Sequence, residues 1–370
     1  MKSSVLRFCI ITLSIISSFV SCNQQKSRWK GTFEEVDGVT IVRNPIKPIY
    51  NENVLDIEED LSIGVTDGKK EYIFSQLISI DVDDEGRIYV GDGKESVVKV
   101  FDRNGTYITE FSKKGQGPGE NSGYPICHVL NDNTLVIEDA NNRRYSHYSP
   151  TGKFSRSISW KGKFIIESKF DSEGFIIARM RTYTENSKSE GIHRLKPDMT
   201  DVLTCESFPV PISEQNVMTP YSPRICWALF NNDFLVVGLT DKYEFNIYNT
   251  SGNLVRKIHK QYNPIEISNE YKNRLRNQVP AQKRLEIPQH YPPIYSLRTD
   301  DKGHLFVFSY EKWGEKQGYF FDVFDSEGKY IATIKMPIIP RVWKKGKIYT
   351  LGANEDGFHI VKRYKVTWKI

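Results

Sequence analysis

The fold is decided by residues 77–111, which read LISIDVDDEGRIYVGDGKESVVKVFDRNGTYITEF. Apolar and polar residues alternate at 78–82, 87–90, 97–101 and 106–111, and Asp, Asn and Gly residues separate these runs. Period-two alternation between such turns is typical of antiparallel hairpins. The segment therefore predicts one four-stranded antiparallel sheet.

The same unit recurs along the chain with a constant internal spacing. The first and second turns are 19 residues apart in three copies, at 86 and 105, 133 and 152, and 233 and 252. In a fourth copy the two turns, at 303 and 328, are farther apart because residues 311–318 lengthen one hairpin. With a degenerate copy that begins at 164, five units are readable, near 77–112, 124–160, 164–208, 224–260 and 293–336. Such repetition indicates an array of supersecondary units.

A sixth unit is divided between the two ends of the chain. Three strands are predicted at 338–339, 347–351 and 359–364, and a lone strand at 54–63 precedes the first unit. Joining that strand to the other three would close a ring and remove exposed sheet edges. We predict an all-β, six-bladed β-propeller over residues 37–370, with four-stranded antiparallel blades and a ring closed by the N- and C-terminal strands.

Two further segments lie outside the repeat. Residues 39–42 predict a strand that the pattern does not assign to any blade. Residues 267–276 predict a short helix in an insertion at about 262–290, with Ser268 or Asn269 as its N-cap and with Tyr271 and Leu275 on one face.

The first 22 residues have the pattern of an export signal. Lys2 and Arg7 precede an apolar run at 9–16, and small residues follow that run, as in a secretory signal peptide. Residues 19–22, Phe-Val-Ser-Cys, resemble the bacterial lipobox. That resemblance implies a signal peptide at 1–21, lipidation of Cys22, and a polar tether at 22–36; secretion with cleavage elsewhere is the alternative.

A lipid anchor would make a membrane one partner of the protein and would retain it in the bacterial cell envelope. Bacterial lipoproteins that are exported to the cell surface often carry acidic residues just after the cysteine, whereas residues 23–26 contain none. We therefore expect an outer-membrane protein that faces the periplasm.

Charge and cysteine content argue against several classes of function. The net charge is +5, which loss of Lys2 and Arg7 would lower to +3, and basic and acidic residues are interleaved, so no nucleic-acid partner is expected. No pair of the five cysteines has C-x-x-C spacing. Cys205 and Cys226 could pair in an oxidising compartment, but we favour small buried side chains for these two and Cys127.

Residues 88–90, 100–102 with Gly105, and 115–120 form a consecutive pattern that resembles the NHL-repeat propellers. More closely, the chain resembles the six-bladed β-propeller lipoproteins of Gram-negative bacteria in its signal, its lead-in at 61–64 and its interrupting helix. The resemblance implies a fold and a location. It implies no reaction, because propellers carry many unrelated functions.

Four side chains are candidates for the central channel or for the face on which loops converge. His128 lies in the innermost strand of its unit, where NHL-like lyases and lactonases hold a metal with His and carboxylate ligands from several blades. We favour a lone channel or core histidine, because the other inner strands lack a matching His. Asp92, Glu138 and Asp139 follow second strands, and carboxylates there could serve acid–base or metal chemistry, although hairpin turns also require Asp.

Aromatic and glycine-rich segments have two interpretations each. Exposed rings would suit stacking on sugars or peptides, whereas packing between blades is the commoner role. The aromatic residues near predicted inner strands or loops are Trp227, Trp313, Trp343, Tyr221 and Tyr310. Residues 115–120 read GQGPGE, but Pro118 removes a donor and no helix pattern follows, so we expect a crossover between blades instead of a phosphate loop.

These features predict a binding or scaffold module for a protein, peptide or glycan, because the loops of all blades meet on a shared face. The alternative is a metal-dependent NHL-like lyase or lactonase that acts in the central channel. No nucleophile motif is present, so no catalytic residue is assigned and no cofactor is predicted.

Overall fold

Six blades, each built on four antiparallel strands, form the ring of a β-propeller in the computed structural model, and two N-terminal strands extend the sheet of one blade. The structure describes residues 29–51, 54–184, 187–210, 216–230, 232–280, 282–310 and 318–370. The predicted signal peptide, Cys22 and Trp313 lie outside these residues. The predicted all-β, six-bladed fold is confirmed.

The strands follow one another in the order that the repeat predicts. The chain begins with β1 (Thr32–Val36), β2 (Val39–Asn44) and β3 (Leu55–Ile63) and a short 3-10 turn (Lys70–Tyr72). Blade 1 contains β4 (Leu77–Val82), β5 (Ile88–Asp92), β6 (Val97–Phe101) and β7 (Tyr107–Phe111). Blade 2 contains β8 (Ile126–Val129), β9 (Leu135–Asp139), β10 (Arg144–Tyr148) and β11 (Phe154–Ser159). Blade 3 contains β12 (Phe164–Phe170), β13 (Ile176–Tyr183), β14 (Lys188–Leu195) and β15 (Asp201–Pro209).

The second half of the ring is interrupted by an insertion. After β16 (Val217–Met218), blade 4 contains β17 (Ile225–Leu229), β18 (Leu235–Leu239), β19 (Glu244–Tyr248) and β20 (Leu254–Lys260). The insertion contains α1 (Asn269–Gln278) and β21 (Arg284–Leu285). Blade 5 contains β22 (Ile294–Thr299), β23 (Leu305–Ser309), β24 (Tyr319–Phe324) and β25 (Tyr330–Met336). Blade 6 combines β26 (Val342–Lys344), β27 (Lys347–Ala353) and β28 (His359–Trp368) with β3.

The repeated Asp-x-x-Gly segment folds the first two strands of a blade into a hairpin. In blade 1 the Asp83 carboxylate accepts the backbone N–H groups of Glu85 (3.0 Å) and Arg87 (2.8 Å), and Gly86 has a φ of +82°. The equivalent aspartates of blades 3 and 5 make the same bonds. An aspartate that binds the backbone two residues ahead stabilises a tight turn, and glycine takes positive φ without strain.

The hydrophobic core lies between neighbouring blades. Phe101 of blade 1 is fully buried with Tyr349 and Val361 of blade 6. Phe245 of blade 4 meets Phe324 of blade 5 edge to face, with ring centroids 6.2 Å apart. Because both faces of each sheet are covered by adjacent sheets, every blade depends on its neighbours for burial.

One fully buried ion pair joins blades 4 and 5. The ammonium of Lys260 lies 3.0 Å from the Asp322 carboxylate, and the two side chains are 1% and 0% exposed. The hydroxyls of Tyr243 and Tyr330 also donate to Asp322, the latter at 3.0 Å. Charges are tolerated at such depth when they are paired and hydrogen-bonded.

The ring is closed by strands from the two ends of the described chain. Strand β3 pairs antiparallel with β28, which places Ile63 opposite Val361 and Leu55 opposite Trp368. The predicted closure is therefore confirmed, and it supplies the fourth strand that the C-terminal repeat lacks.

The N-terminal hairpin packs on the outside of blade 4. Strand β2 pairs parallel with β20, so Val42 lies opposite Ile258 and is fully buried. This assigns residues 39–42 to a sheet, which the alternating pattern alone could not do. It also corrects the predicted tether at 22–36, because Thr32–Val36 forms strand β1 through backbone pairing with β2.

The insertion contains the predicted helix. Ser268 is its N-cap, with the Ser268 hydroxyl accepting the Tyr271 N–H at 3.2 Å. Strands β16 and β21 pair in parallel beside it. None of the helices in the described ranges is long and apolar enough to cross a membrane.

Candidate functional site

The first strand of each blade lines the central channel, and these strands all run in the same direction. We call the side on which they begin the upper face and the side on which they end the lower face. The upper face carries the connections between blades, the turns after second strands, and the insertion. The lower face carries only the turns after first and third strands, whereas the upper face also carries the connections between blades and the insertion, which makes it the natural place for a binding site.

Asp92 and Asp139 end second strands on the upper face, as predicted, but each is fully buried and holds a connection in place. The Asp92 carboxylate accepts the backbone N–H groups of Ser75 (2.7 Å) and Gln76 (3.1 Å). The Asp139 carboxylate accepts the N–H (3.2 Å) and the hydroxyl (3.0 Å) of Ser122. Because local donors occupy both carboxylates, their geometry indicates a structural role.

His128 and Glu138 meet in a polar network between blades 2 and 3. His128 Nε2 lies 3.3 Å from Glu138 Oε2, and the imidazole packs 5.1 Å from the Phe170 ring. Glu138 also accepts the Ser168 hydroxyl at 2.7 Å, and Ser168 accepts the Tyr145 hydroxyl at 2.9 Å. In the part of the chain that the structure describes, no group of three or more His, Cys, Asp and Glu side chains is arranged to hold a metal ion.

The three cysteines of the propeller are free thiols. Burial raises the pKa of Cys127 and of Cys226 to about 12, and it raises the pKa of Cys205 to about 11. At neutral pH these thiols are protonated, so they are poor nucleophiles and metal ligands.

The described tryptophans of the predicted aromatic set pack within or between blades. The Trp227 indole is buried and donates to Glu167 at 3.0 Å. The Trp343 ring stacks on Phe306 of blade 5, with centroids 4.7 Å apart. Packing is therefore the role of these two residues, whereas Tyr221 and Tyr310 have a different environment.

A pocket of about 280 Å³ opens on the upper face between blades 4 and 5. We call it the tyrosine pocket; it is lined by aromatic rings, hydroxyls and one cation, and its principal residues are Tyr221, Tyr295, Tyr310, Arg224 and Thr240. Ring centroids of Tyr310 lie 5.7 Å from Tyr221 and 5.6 Å from Tyr295, both edge to face. The Arg224 guanidinium lies 5.7 Å from the Tyr295 ring centroid.

The insertion supports the pocket from behind. The Tyr271 hydroxyl, on helix α1, lies 3.0 Å from the Tyr221 hydroxyl. Tyr291 stacks on Tyr310 with centroids 5.2 Å apart and ring planes 12° apart. The pocket wall is thus a layer of aromatic rings that pack on one another.

Tyr221 is held in an unusual backbone conformation. Its φ is +67°, a region that bulky residues rarely adopt and that is common where binding sites hold a residue in place. Burial and the Tyr271 hydroxyl raise the pKa of Tyr221, and burial raises the pKa of Tyr310 to about 12. At neutral pH both hydroxyls are protonated and can serve as hydrogen-bond donors.

Sequence reasoning identified Tyr221 and Tyr310 but missed Tyr295, Arg224 and the supporting tyrosines. The available signal was the density of tyrosines within and after the insertion, at 271, 291, 295 and 310. Their convergence depends on how the insertion folds back over the ring, which the sequence pattern does not reveal.

Comparisons with known proteins support the fold. Residues 67–186 match a family model described as a 6-bladed beta-propeller. A search of curated proteins finds no match.

Solved structures that match include a proposed exported protein from Bacteroides fragilis, at 13% identity and a TM-score of 0.55, covering 90% of this chain and all of that one. A member of the duf4221 family from Bacteroides vulgatus matches at 10% identity and a TM-score of 0.50, covering 85% of this chain and 99% of that one. Virginiamycin B lyase from Staphylococcus aureus matches at 11% identity and a TM-score of 0.44, covering 84% and 99%. At these identities the first two matches show the propeller fold alone, and the third, with a TM-score below 0.5, carries no argument.

Proposed function

We propose that this six-bladed β-propeller is a binding module of the bacterial cell envelope that recognises a glycan through the tyrosine pocket. The observation that carries the proposal is the pocket itself, which combines a pre-formed aromatic wall with hydroxyl groups and a single arginine. Sugar rings present apolar C–H faces and a rim of hydroxyls, so they match aromatic faces flanked by donors and acceptors.

The size of the pocket suits one unit of a longer ligand. Its volume of about 280 Å³ is just below the usual range of about 300–1,000 Å³ for small-molecule sites. The Tyr295 side chain is 40% exposed, so its ring is available to a ligand that extends across the upper face. Arg224 adds a positive charge, which favours a glycan with acidic groups.

Titration of the soluble domain, residues 23–370, with a panel of neutral and acidic oligosaccharides tests the proposal by calorimetry. We expect saturable binding to at least one acidic member, and loss of at least tenfold in affinity for Tyr295→Ala. Tyr183→Ala is the matched control, because Tyr183 is 57% exposed on blade 3, away from the pocket.

An absence of binding to every oligosaccharide, or equal loss in both variants, would contradict the glycan proposal. Saturable binding of a peptide instead, with the same dependence on Tyr295, would keep the pocket and replace the ligand class.

The alternative, a metal-dependent lyase or lactonase, has weaker support from the side chains. His128 is bound to Glu138, and this pair faces the Ser168 and Tyr145 hydroxyls instead of a third ligand. Elemental analysis of the soluble domain distinguishes the two functions: a stoichiometric divalent ion that His128→Ala removes would favour the enzyme.

Anchoring through Cys22 completes the proposal. The lipobox-like residues 19–22 end seven residues before Trp29, whose indole donates to Asn44 at 3.1 Å on the outside of blade 4. A short segment would therefore join the lipid to the rim of the ring. The description of the Bacteroides fragilis protein as a proposed exported protein is consistent with such a location.

A further inference from the structure

The innermost strands of blades 1 to 5 place one residue each at the same height in the channel. In each blade this residue belongs to the second pair of the first hairpin, counted from the turn. It lies five positions before a turn residue that has a positive φ. The residues at this position are Asp81, His128, Lys169, Ala228 and Arg298. Blade 6 has a shorter first turn, and there Arg341 immediately precedes the inner strand.

Charged side chains at this height influence one another across the channel. Burial lowers the pKa of Lys169, and Arg298 lowers it further, although Glu167 and Asp81 oppose the shift. Burial also lowers the pKa of Arg298, and Arg341 adds to the effect. Lys169 belongs to blade 3 and Arg298 to blade 5. Because Lys169 and Arg298 occupy the same position on the inner strands of two blades that are not adjacent, the channel separates the two strands that carry them.

The three cations lack carboxylate partners. Within the described residues, no Asp or Glu oxygen lies within 4.0 Å of the charged nitrogens of Lys169, Arg298 or Arg341. The Lys169 ammonium lies 5.5 Å from the centroid of the Trp227 ring, and Arg298 Nη1 donates to the Leu297 carbonyl at 2.6 Å. The positive charge of the cluster is therefore not neutralised by direct ion pairs.

The nearby carboxylates are engaged elsewhere. Asp81 accepts the backbone N–H groups of Val129 (2.7 Å) and Val82 (2.8 Å), and Glu167 accepts the Trp227 indole N–H. By contrast, the buried Lys260 has an ion-pair partner in Asp322. A cluster of unpaired like charges, two of which are half-buried, costs stability, which a bound anion would offset.

We propose that Lys169, Arg298 and Arg341 form an axial site that binds a compact oxyanion, a phosphate or carboxylate group, in the central channel. Two guanidinium groups and an ammonium supply the planar forks and the point charge that recognise such groups. Ala228, the residue of blade 4 at this position, is fully buried in the core between blades 4 and 5 and adds no charge to the cluster. Lys169 and Arg298 are half-buried and retain contact with solvent.

This axial site is separate from the tyrosine pocket. The inner strands run towards the lower face, and Lys169 and Arg298 are the last residues but one of their strands. An anion would therefore reach them from the lower face, whereas the tyrosine pocket opens on the upper face. The two sites can therefore be tested with separate variants.

Thermal unfolding of the soluble domain tests the axial site with two probes, inorganic phosphate and citrate, against sodium chloride at equal ionic strength. We expect at least one probe to raise the melting temperature saturably by about 2–4 °C, whereas chloride does not. A response to phosphate alone or to citrate alone identifies the preferred oxyanion. A response to neither probe overturns the proposal.

Variants separate specific binding from general salt effects. Lys169→Met should abolish the response to the probe and leave the melting temperature without anion equal or higher, because an unpaired charge is removed. Lys365→Met, which removes an exposed cation from β28, should keep the full response. Equal responses in the two variants would overturn the proposal. If Lys169→Met does not fold, Arg341→Gln, at an exposed position, provides the same comparison.

Discussion

Replacement of Asp139 by alanine tests whether the carboxylates on the upper face are structural or functional. Asp139 is fully buried and accepts four hydrogen bonds, from the N–H and hydroxyl of Ser122 and from the N–H (3.1 Å) and side-chain amide (2.6 Å) of Asn142. A hydrogen bond to a charged group contributes about 1.5–3 kcal/mol, and bonds that share one carboxylate are not additive. We therefore expect Asp139→Ala to lower the free energy of unfolding by about 3 kcal/mol.

The expected loss corresponds to a fall of about 4 °C in melting temperature, because the entropy of unfolding is about 0.7 kcal/mol/K for a domain of this size. Urea unfolding followed by circular dichroism measures the loss in free energy of unfolding. Calorimetry with an oligosaccharide that binds the unmodified protein measures the affinity of the folded fraction, which should be unchanged. Asp198→Ala is the control, because Asp198 is exposed and accepts the Thr200 N–H in a surface turn; its cost should be below about 0.5 kcal/mol. Unchanged stability together with lost binding in Asp139→Ala would refute the structural interpretation.

Three further predictions follow from single residues. Lys260→Met should destabilise the domain by about 3–5 kcal/mol in urea unfolding, because it leaves Asp322 charged and buried, and adding Asp322→Leu should recover much of that loss. Burial lowers the pKa of His147 from 6.5 to about 4, so the folded state binds this proton less tightly than the unfolded chain. Stability should therefore fall as pH drops from about 6.5 to about 4, and His147→Gln should reduce that fall in pH-dependent unfolding. Cys22→Ser should abolish incorporation of labelled palmitate in the bacterial host and release the protein from membranes, whereas labelling that persists would contradict lipidation at Cys22.

The repeat allowed the fold to be predicted because its turns are locally determined. Asp83 and Gly86 form their turn through bonds within five residues, so the same chemistry appears at the same spacing in other blades. Closure of the ring could be predicted from the number of strands, because every other unit has four strands and the C-terminal unit has only three. Strand β2 was not assigned to a blade because its partner, β20, lies more than 200 residues away and the pairing leaves no local pattern.

The candidate site was predicted less well, because its residues are brought together by distant loops. Asp92 and Asp139 were identified from their position after a strand, but their hydrogen bonds to preceding connections could not be read from the sequence. The axial residues do carry a signal, a constant offset of five from the positive-φ residue of the first turn. That signal becomes visible only when the turn conformation is known.

Closure of the ring by the two ends of the chain is the claim on which every other inference depends, and a disulfide trap tests it directly. Asp56 of β3 lies opposite Thr367 of β28, and both are exposed, so Asp56→Cys with Thr367→Cys should be close enough to cross-link with small adjustment. The three native thiols of the propeller are protonated at neutral pH and should not compete. Oxidation of the double variant, followed by peptide mass spectrometry, should show nearly complete linkage of positions 56 and 367, and the pair Asp56→Cys with Lys335→Cys should show none. Failure of the 56–367 link in folded protein, or equal yields for the two pairs, would contradict the closed ring.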